Sequence, residues 1–175
     1  MLNTAVALII FNRPDTTEKV LAEIARVEPK KLFVIADGAR AGNTADLIKC
    51  NAARAVIERV DWGCQIYRNY SDQNLGCGER PATGIGWVFE HVETAIFIED
   101  DCVPHPSFFW YCEELLEKYK NDYRIMHISG TKREKNLKNE NASYTFSKFP
   151  IACGGFATWK RAWQKYDFEM KLWPD

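Results

Sequence analysis

Short runs of apolar residues recur along the chain, separated by longer segments in which apolar and polar residues alternate with helical spacing. The clearest runs are residues 5–11, 32–36 and 95–98, and a weaker run covers residues 65–67. Continuous apolar runs of this length are typical of strands that are buried on both faces of a parallel sheet. The pattern therefore predicts a sheet built from these four segments.

The segments between the runs predict amphipathic helices, because their apolar residues fall three and four positions apart. The four apolar stripes are Val20, Leu21, Ile24 and Val27; Leu47, Ile48, Ala55, Val56, Ile57 and Val60; Ala82, Ile85, Val88 and Phe89; and Phe108, Phe109, Cys112, Leu115, Leu116 and Tyr119. Asp15 stands at capping-box spacing before Glu18, so we expect it to cap the first helix. Alternation of strands and helices predicts an α/β fold, a three-layer α/β/α sandwich with a mostly parallel sheet.

The last third of the chain is less regular. Residues 125–128 predict a further strand, and the alternating residues 144–149 predict an antiparallel one. Between them, residues 131–143 form a polar, charge-dense loop. Loops of this length are usually either mobile or functional, and we expect this one to be mobile. Residues 153–159 predict a turn that leads into a helix bearing Trp159, Trp163 and Tyr166; its paired glycines suit either a close approach to a ligand or a plain tight turn.

Length and charge narrow the class of protein. The chain has 175 residues, enough for one domain with a substantial core, and we expect residues 1–175 to form a single domain. Its 23 basic and 24 acidic residues give a net charge of -1, which offers no field to attract nucleic acid or an anionic membrane. No apolar run is long enough to span a membrane, and the six scattered cysteines suggest free thiols, so we expect a cytoplasmic protein.

The most informative stretch is the acidic triplet Glu99, Asp100 and Asp101, which follows the apolar run 95–98. In α/β sheets the carboxyl ends of the strands are where ligands bind. Three adjacent carboxylates repel one another unless a cation neutralises them, and divalent metals favour oxygen ligands together with substrate phosphates. The triplet therefore indicates a metal-dependent phosphate site, with an ordinary acidic turn as the alternative.

Four motifs in this order resemble the nucleotide-sugar-dependent glycosyltransferases of the GT-A fold (nucleotide-diphospho-sugar transferase, Rossmann-like). The resemblance is strongest to the α-mannoside N-acetylglucosaminyltransferase of N-glycan synthesis and to family-2-like bacterial enzymes. The motifs are Phe11-Asn12-Arg13, Ala36-Asp37-Gly38, Ile98-Glu99-Asp100-Asp101 with Pro106-Ser107-Phe108-Phe109, and Phe149-Pro150 through Gly154-Gly155 to Trp159-Arg161-Ala162-Trp163. Each motif alone is weakly specific, and their order and spacing carry the resemblance.

The resemblance implies a role for each matching residue. Arg13 and Asp37 would hold the uracil ring of a UDP-sugar donor. Asp101 would bind the metal in a DXD-type motif, with Asp100 near the ribose or the metal's waters and Glu99 near the donor sugar. The ion would be Mn²⁺ or Mg²⁺, which the sequence does not separate.

The resemblance also implies an inverting transfer to a hydroxyl of a glycan or other acceptor, assisted by a general base. Asp175 is the acid nearest to the place where the family carries that base, although a base on the last residue would be poorly held. We therefore expect the domain to be truncated at its C-terminus. Two alternatives stay open: a non-catalytic nucleotide-sugar-binding fragment, and a nucleotidyltransferase-like or other Rossmann-like protein. Against the latter, no Gly-x-Gly-x-x-Gly follows the first strand and no Walker lysine is present.

Overall fold

The computed structural model describes residues 1–131, 143–150 and 155–172. Within these ranges the chain forms six strands, five α-helices and one 3-10 helix, Ile57–Arg59. The strands are β1 (Ala5–Ile10), β2 (Lys31–Ala36), β3 (Gln65–Tyr70), β4 (Thr94–Glu99), β5 (Ile128–Ser129) and β6 (Phe156–Trp159). The helices are α1 (Pro14–Ala25), α2 (Thr44–Val56), α3 (Gly76–Val88), α4 (Pro106–Lys118) and α5 (Lys160–Trp163).

The strands form one sheet in the order β3-β2-β1-β4-β6-β5. The first four strands of this order run parallel to one another, and β6 is antiparallel to both β4 and β5. In the register of the central strands, Ile10 pairs with Ala36 and Ile9 pairs with Glu99. The segments that follow β1, β2 and β4 therefore leave the sheet at the same edge, which is the expected ligand-binding edge.

Helices cover both faces of the sheet, so the predicted three-layer α/β/α sandwich is confirmed. Alternate residues along each strand enter one of two cores, because successive side chains point to opposite faces. One core joins the sheet to α1, α2 and α4 and contains Ile24, Val56 and Phe109. The other joins it to α3 and contains Ile85 and Val88.

Helix α3 packs very closely on β2, and Gly84 makes this possible. A Cβ atom built at Gly84 would stand 2.4 Å from Cγ2 of Ile35, well inside van der Waals contact. The absence of a side chain therefore sets the distance between this helix and the sheet.

Two details of the predicted helices are wrong. Asp15 does not cap α1, because the helix already begins at Pro14, where the fixed φ of proline suits the first turn. No side chain caps this helix, and the hydroxyl of Thr17 donates to the carbonyl of Arg13, one turn earlier, at 2.7 Å. The second helix ends at Val56, so Ile57 and Val60, which were predicted to belong to it, lie beyond its end. Leu47 and Ile48 lie within α2 as predicted, but they face solvent, and the buried face of this helix begins at Asp46.

The antiparallel strand was predicted at the wrong place. Residues 144–149 form no strand; Tyr144 packs against the ring of Tyr119, and the Ser147 hydroxyl forms a local turn with the backbone of Phe149. The strand is Phe156–Trp159 instead, where a helix-leading turn was expected, and α5 after it is short. Its position is fixed by Thr158, whose hydroxyl donates to the carbonyl of Met126 at 2.7 Å.

Four further expectations concern the strand at residues 125–128, the polar loop, the cysteines and membrane-spanning segments. The strand predicted at residues 125–128 is confined to Ile128–Ser129. Residues 132–142 of the polar loop, together with Gly154, lie outside the described residues. None of the five cysteines in the described ranges forms a disulfide. In those ranges, no helix combines the length and hydropathy needed to cross a bilayer.

Candidate functional site

The candidate site lies at the carboxyl edge of β1, β2 and β4, where the predicted residues Arg13, Asp37 and Glu99–Asp101 leave the sheet. The strand alternation in the sequence predicted this common edge. The structure brings Arg13 and the acidic triplet into direct contact, whereas Asp37 takes part in a separate set of hydrogen bonds.

Arg13 pairs with two of the three acids. Its Nη1 atom donates to Oδ1 of Asp100 at 2.9 Å and to Oδ2 of Asp101 at 2.7 Å. The Arg13 side chain is 53% exposed, the Asp101 side chain 43% and the Asp100 side chain only 5%. One guanidinium nitrogen thus bridges a buried and an exposed carboxylate.

Asp100 ties the end of β4 to the end of β1. Its Oδ2 accepts a hydrogen bond from the backbone N–H of Phe11 at 3.0 Å, while its Oδ1 accepts from Arg13. Burial raises the pKa of this carboxyl, and these two donors act in the opposite direction. Asp100 therefore has a structural role at the site whatever else it binds.

Glu99 and Asp101 project into the open part of the site together with Cys102. One ligand atom of each of these three residues lies within 4.8 Å of the others. Desolvation, followed by the charges of Asp101 and Asp100, raises the pKa of Glu99. Two carboxylates at such a separation fit a divalent cation, since carboxylate oxygens are ligands that Mn²⁺ and Mg²⁺ both accept.

Asp37 is buried, at 6% exposure, and its carboxylate is fully engaged. Oδ1 accepts from the backbone N–H groups of Gly38 and Leu75, each at 2.9 Å. Oδ2 accepts from the backbone N–H of Gly76 and the side-chain amide of Asn74, each at 3.0 Å. A carboxylate offers about four acceptor positions, and in Asp37 all four are occupied. Because three of the donors belong to residues 74–76, Asp37 holds the β3–α3 loop against the end of β2 and supports the first turn of α3.

Gly38 allows this loop to close. A Cβ atom at Gly38 would lie 2.5 Å from the carbonyl carbon of Gln73. The backbone N–H of Gly38 also donates to the Gln73 carbonyl, at 3.3 Å. The Asp-Gly pair is thus required by the approach of a distant loop, and not only by a local turn.

A third buried acid, Asp46, escaped the sequence analysis. Asp46, at 4% exposure, accepts hydrogen bonds from Asn12 at the end of β1 and from Arg40 in the β2–α2 loop. The hydrogen bond from Arg40 is the main reason that its pKa is lowered to about 2. The Asn43 side chain accepts from the N–H of Asp46, as an N-cap does. The Asn-x-x-Asp spacing was the available signal for this cap.

Arg161, in the last of the four motifs, serves the fold. Its guanidinium lies between the rings of Trp159 and Tyr123, 4.5 Å and 4.9 Å from their centroids. It donates to four backbone carbonyls, those of Tyr119, Lys120, Asp122 and Ile125. The arginine therefore anchors the antiparallel edge of the sheet to the end of α4.

Asp175, the predicted general base, lies outside the described residues. The described part of the same segment reaches the first turn of α3, where the ring of Phe168 comes within 3.4 Å of a Cβ atom built at Gly78. In that segment the Asp167 carboxylate accepts from the N–H groups of Glu169 and Lys171, and so closes a turn.

Comparison with known proteins gives a likeness in fold alone. No family model and no curated protein sequence matches the chain. A mannosyltransferase from Pyrobaculum calidifontis, solved in complex with GDP-Man and Mn²⁺, superposes with a TM-score of 0.53 and 15% identity over 75% of this chain. The 4-diphosphocytidyl-2C-methyl-D-erythritol synthase from Anaerococcus prevotii superposes with a TM-score of 0.54 and 11% identity, covering 91% of this chain and 72% of its own.

These superpositions confirm the predicted fold class: the protein has a GT-A-like, nucleotide-diphospho-sugar transferase fold. The chain spans only 36% of the length of the mannosyltransferase. Because one fold carries many activities, the residues of the site must support any statement about function.

Proposed function

We propose that residues 1–175 form a nucleotide-sugar-binding domain of a metal-dependent glycosyltransferase, which transfers a sugar from a UDP-sugar to a hydroxyl group of a glycan or other acceptor. The observation that carries the proposal is the placement of Glu99 and Asp101 at the carboxyl end of β4, beside Arg13 at the end of β1. This is the edge at which open α/β sheets bind their ligands. The likeness in fold to a mannosyltransferase that holds GDP-Man and Mn²⁺ supports it.

Within this proposal Asp101 would hold the divalent ion, Mn²⁺ or Mg²⁺. Glu99, which the resemblance places near the donor sugar, lies close enough to share the ion. The ion would supply positive charge to the diphosphate as the nucleotide leaves. Asp100 fixes the end of β4 through the Phe11 N–H, and the ribose or the metal's waters would reach it only if Arg13 released its other oxygen. Arg13 is exposed and close enough to the acids to contact a phosphate bound among them.

The donor base remains a prediction. Arg13 and Asp37 were expected to hold the uracil ring, but in the structure Arg13 is paired with Asp100 and Asp101. The oxygens of Asp37 already accept four hydrogen bonds from residues 38 and 74–76. Binding of a base by Asp37 requires at least one of these donors to move. We therefore propose to titrate UDP, GDP and CDP in parallel rather than UDP alone.

The proposed general base and the inverting mechanism depend on the resemblance of the sequence to GT-A glycosyltransferases. Asp175 is proposed as the general base of an inverting transfer, in which the acceptor oxygen forms its bond to the anomeric carbon as the bond to the diphosphate breaks. The proton of the acceptor hydroxyl then passes to the carboxylate. NMR analysis of the anomeric configuration of the product tests this step, and retention of configuration would refute it.

The proposal is tested by calorimetric titration with each nucleotide in the presence and absence of Mn²⁺. We expect metal-dependent binding that Asp101→Asn abolishes and that Asp61→Asn leaves unchanged, since Asp61 is an exposed acid that precedes β3 at the opposite edge of the sheet. A donor-hydrolysis assay then separates turnover from binding alone. Metal-independent binding, or equal affinity of the wild-type protein and Asp101→Asn, would count against the proposal.

A second candidate is a nucleotidyltransferase, favoured by the 91% coverage in the superposition on the erythritol synthase. Enzymes that hold a triphosphate commonly use a glycine-rich loop whose N–H groups surround the phosphates. Here only Phe11, Asn12 and Arg13 join β1 to α1, and none of them is glycine. Release of pyrophosphate from CTP or UTP on addition of a sugar phosphate would favour this second function.

A further inference from the structure

Arg13 supplies the acidic triplet with a positive charge from within the protein. Both of its ion-pair contacts run through Nη1, which lies 2.9 Å from Asp100 and 2.7 Å from Asp101. The carboxylate of Asp101 is also one of the groups that converge with Glu99 and Cys102. The same exposed carboxylate is therefore required both by Arg13 and by a divalent ion.

We propose that Arg13 acts as an internal counter-ion that weakens the binding of a free divalent ion and is released when a nucleoside diphosphate enters the site. This inference rests on the proposed function, because it assumes that metal and diphosphate bind together at Asp101. Its consequence is that the protein takes up the metal mainly as a metal–nucleotide complex.

The structure allows the side chain of Arg13 to move while its backbone stays fixed. The side chain is 53% exposed. The backbone carbonyl is held by the N–H of Thr17 at 3.0 Å and by the Thr17 hydroxyl at 2.7 Å. A phosphate that arrives at the edge of the sheet offers the guanidinium a partner of higher charge than one carboxylate.

The size of the effect follows from Coulomb's law. A monovalent cation about 5 Å from a divalent one, at the dielectric constant of water, weakens metal binding on the order of tenfold. The exposed ion pair with Asp101 adds little to this figure, because such pairs contribute about 0–1 kcal/mol. We therefore expect removal of the guanidinium to raise the affinity for Mn²⁺ alone about tenfold.

The test is a Mn²⁺ titration followed by electron paramagnetic resonance of the free ion, for the wild-type protein and for Arg13→Gln. Each protein is titrated with and without UDP, and the UDP series is corrected with a protein-free titration. Arg59→Gln is the matched control, because it removes the same charge from an exposed pair with Glu18. Thermal unfolding confirms that each variant is folded, and Arg13→Met, which keeps the aliphatic stem, repeats the test if the glutamine variant is unstable.

Two results are expected together. Arg13→Gln binds Mn²⁺ alone about tenfold more tightly than the wild-type protein and the Arg59→Gln control. UDP raises the Mn²⁺ affinity of the wild-type protein by a larger factor than that of Arg13→Gln, because coupling between two ligands is reciprocal and one source of it has been removed.

The inference is overturned if Arg13→Gln binds Mn²⁺ alone no more tightly than the wild-type protein, or if UDP increases the affinity of both by the same factor. That outcome leaves the proposed function intact as long as Mn²⁺ binds with UDP and requires Asp101. If no protein binds Mn²⁺ even with UDP present, the proposed function fails and the inference fails with it.

Discussion

Replacing Asp37 by alanine tests whether this carboxylate builds the loop beside the site or serves mainly a ligand. In the structure the carboxylate accepts from three backbone N–H groups, those of Gly38, Leu75 and Gly76, and from the side chain of Asn74. Alanine removes all four acceptor contacts at once. The Gly38 N–H keeps a second acceptor in the Gln73 carbonyl, whereas the other donors keep a partner only where water can reach them.

The expected loss of stability is worked from these four contacts. A hydrogen bond to a charged group contributes about 1.5–3 kcal/mol, and one between neutral groups contributes about 1 kcal/mol. The contacts share one carboxylate and are not additive, and only the bond to Gly38 is fully buried. We therefore expect Asp37→Ala to lower the free energy of unfolding by about 3 kcal/mol.

The measurement is urea denaturation followed by circular dichroism, with linear extrapolation to water. Asp61→Ala is the control, since a change at an exposed acid of this kind typically alters stability by no more than about 0.5 kcal/mol. The m-value should stay the same in both variants, which would show that the native and denatured ensembles expose similar surface.

The result that refutes this reasoning is a loss smaller than about 1 kcal/mol, the size of a single ordinary hydrogen bond. Asp37→Asn separates the two roles more sharply than alanine does. The amide oxygen of asparagine can still accept two of the four hydrogen bonds, whereas its NH₂ group faces the other two donors and cannot accept from them. If the asparagine variant is as stable as the wild-type protein yet loses affinity for UDP, Asp37 recognises the base as the resemblance implies. If Asp37→Asn loses both stability and affinity for UDP, the main role of the carboxylate is to support the loop.

Two further predictions follow from contacts elsewhere in the structure. Arg40 holds the pKa of Asp46 at about 2, below its ordinary 3.8, so this pair stabilises the fold above pH ~4 and its contribution is lost as the pH falls toward 2. The urea midpoint should therefore decline less between pH ~4 and ~2 in Asp46→Asn than in the wild-type protein. An equal decline in the two proteins would contradict the assignment. Gly84→Ala should lower the free energy of unfolding by about 1–3 kcal/mol, because the new methyl group overlaps Ile35. Gly86→Ala in the same helix meets only an ordinary contact at 3.8 Å and should be neutral or stabilising by about 0.5–1 kcal/mol; equal effects in the two variants would refute the packing argument.

The sheet and the edge at which the candidate site lies were predictable because both depend on local patterns. Continuous apolar runs predict buried parallel strands, and the residue after each strand then lies at the ligand-binding edge. The short strand β6 was missed because its four residues, two of them aromatic, follow glycines and precede a helix. That context suits a turn as well as a strand, and pairing with β4 decides between them.

The partners of the charged side chains were not predictable, because they come from distant parts of the chain. The donors to Asp37 come in part from the loop 37 to 39 positions later, and Asn12 reaches Asp46 across 34 positions. Asp46 itself broke the helical pattern: a polar residue occupies the buried face of α2, while Leu47 and Ile48 face solvent. Periodicity places apolar residues in the core and has no means of recognising a buried acid that is paired.

The unequal burial of the three acids explains how adjacent carboxylates can coexist at one strand end. The middle acid, Asp100, turns inward, where the Phe11 N–H and Arg13 stabilise its charged form against the cost of burial. The two flanking acids, Glu99 and Asp101, follow the alternation of the strand and its turn into the open part of the site. Of the three acids, only these two are then left to share a cation. We therefore expect the inner acid to determine the position of the strand end and the outer pair to determine the affinity for metal. Asp100→Asn should therefore cost stability first, whereas Asp101→Asn should cost metal affinity with the fold unchanged.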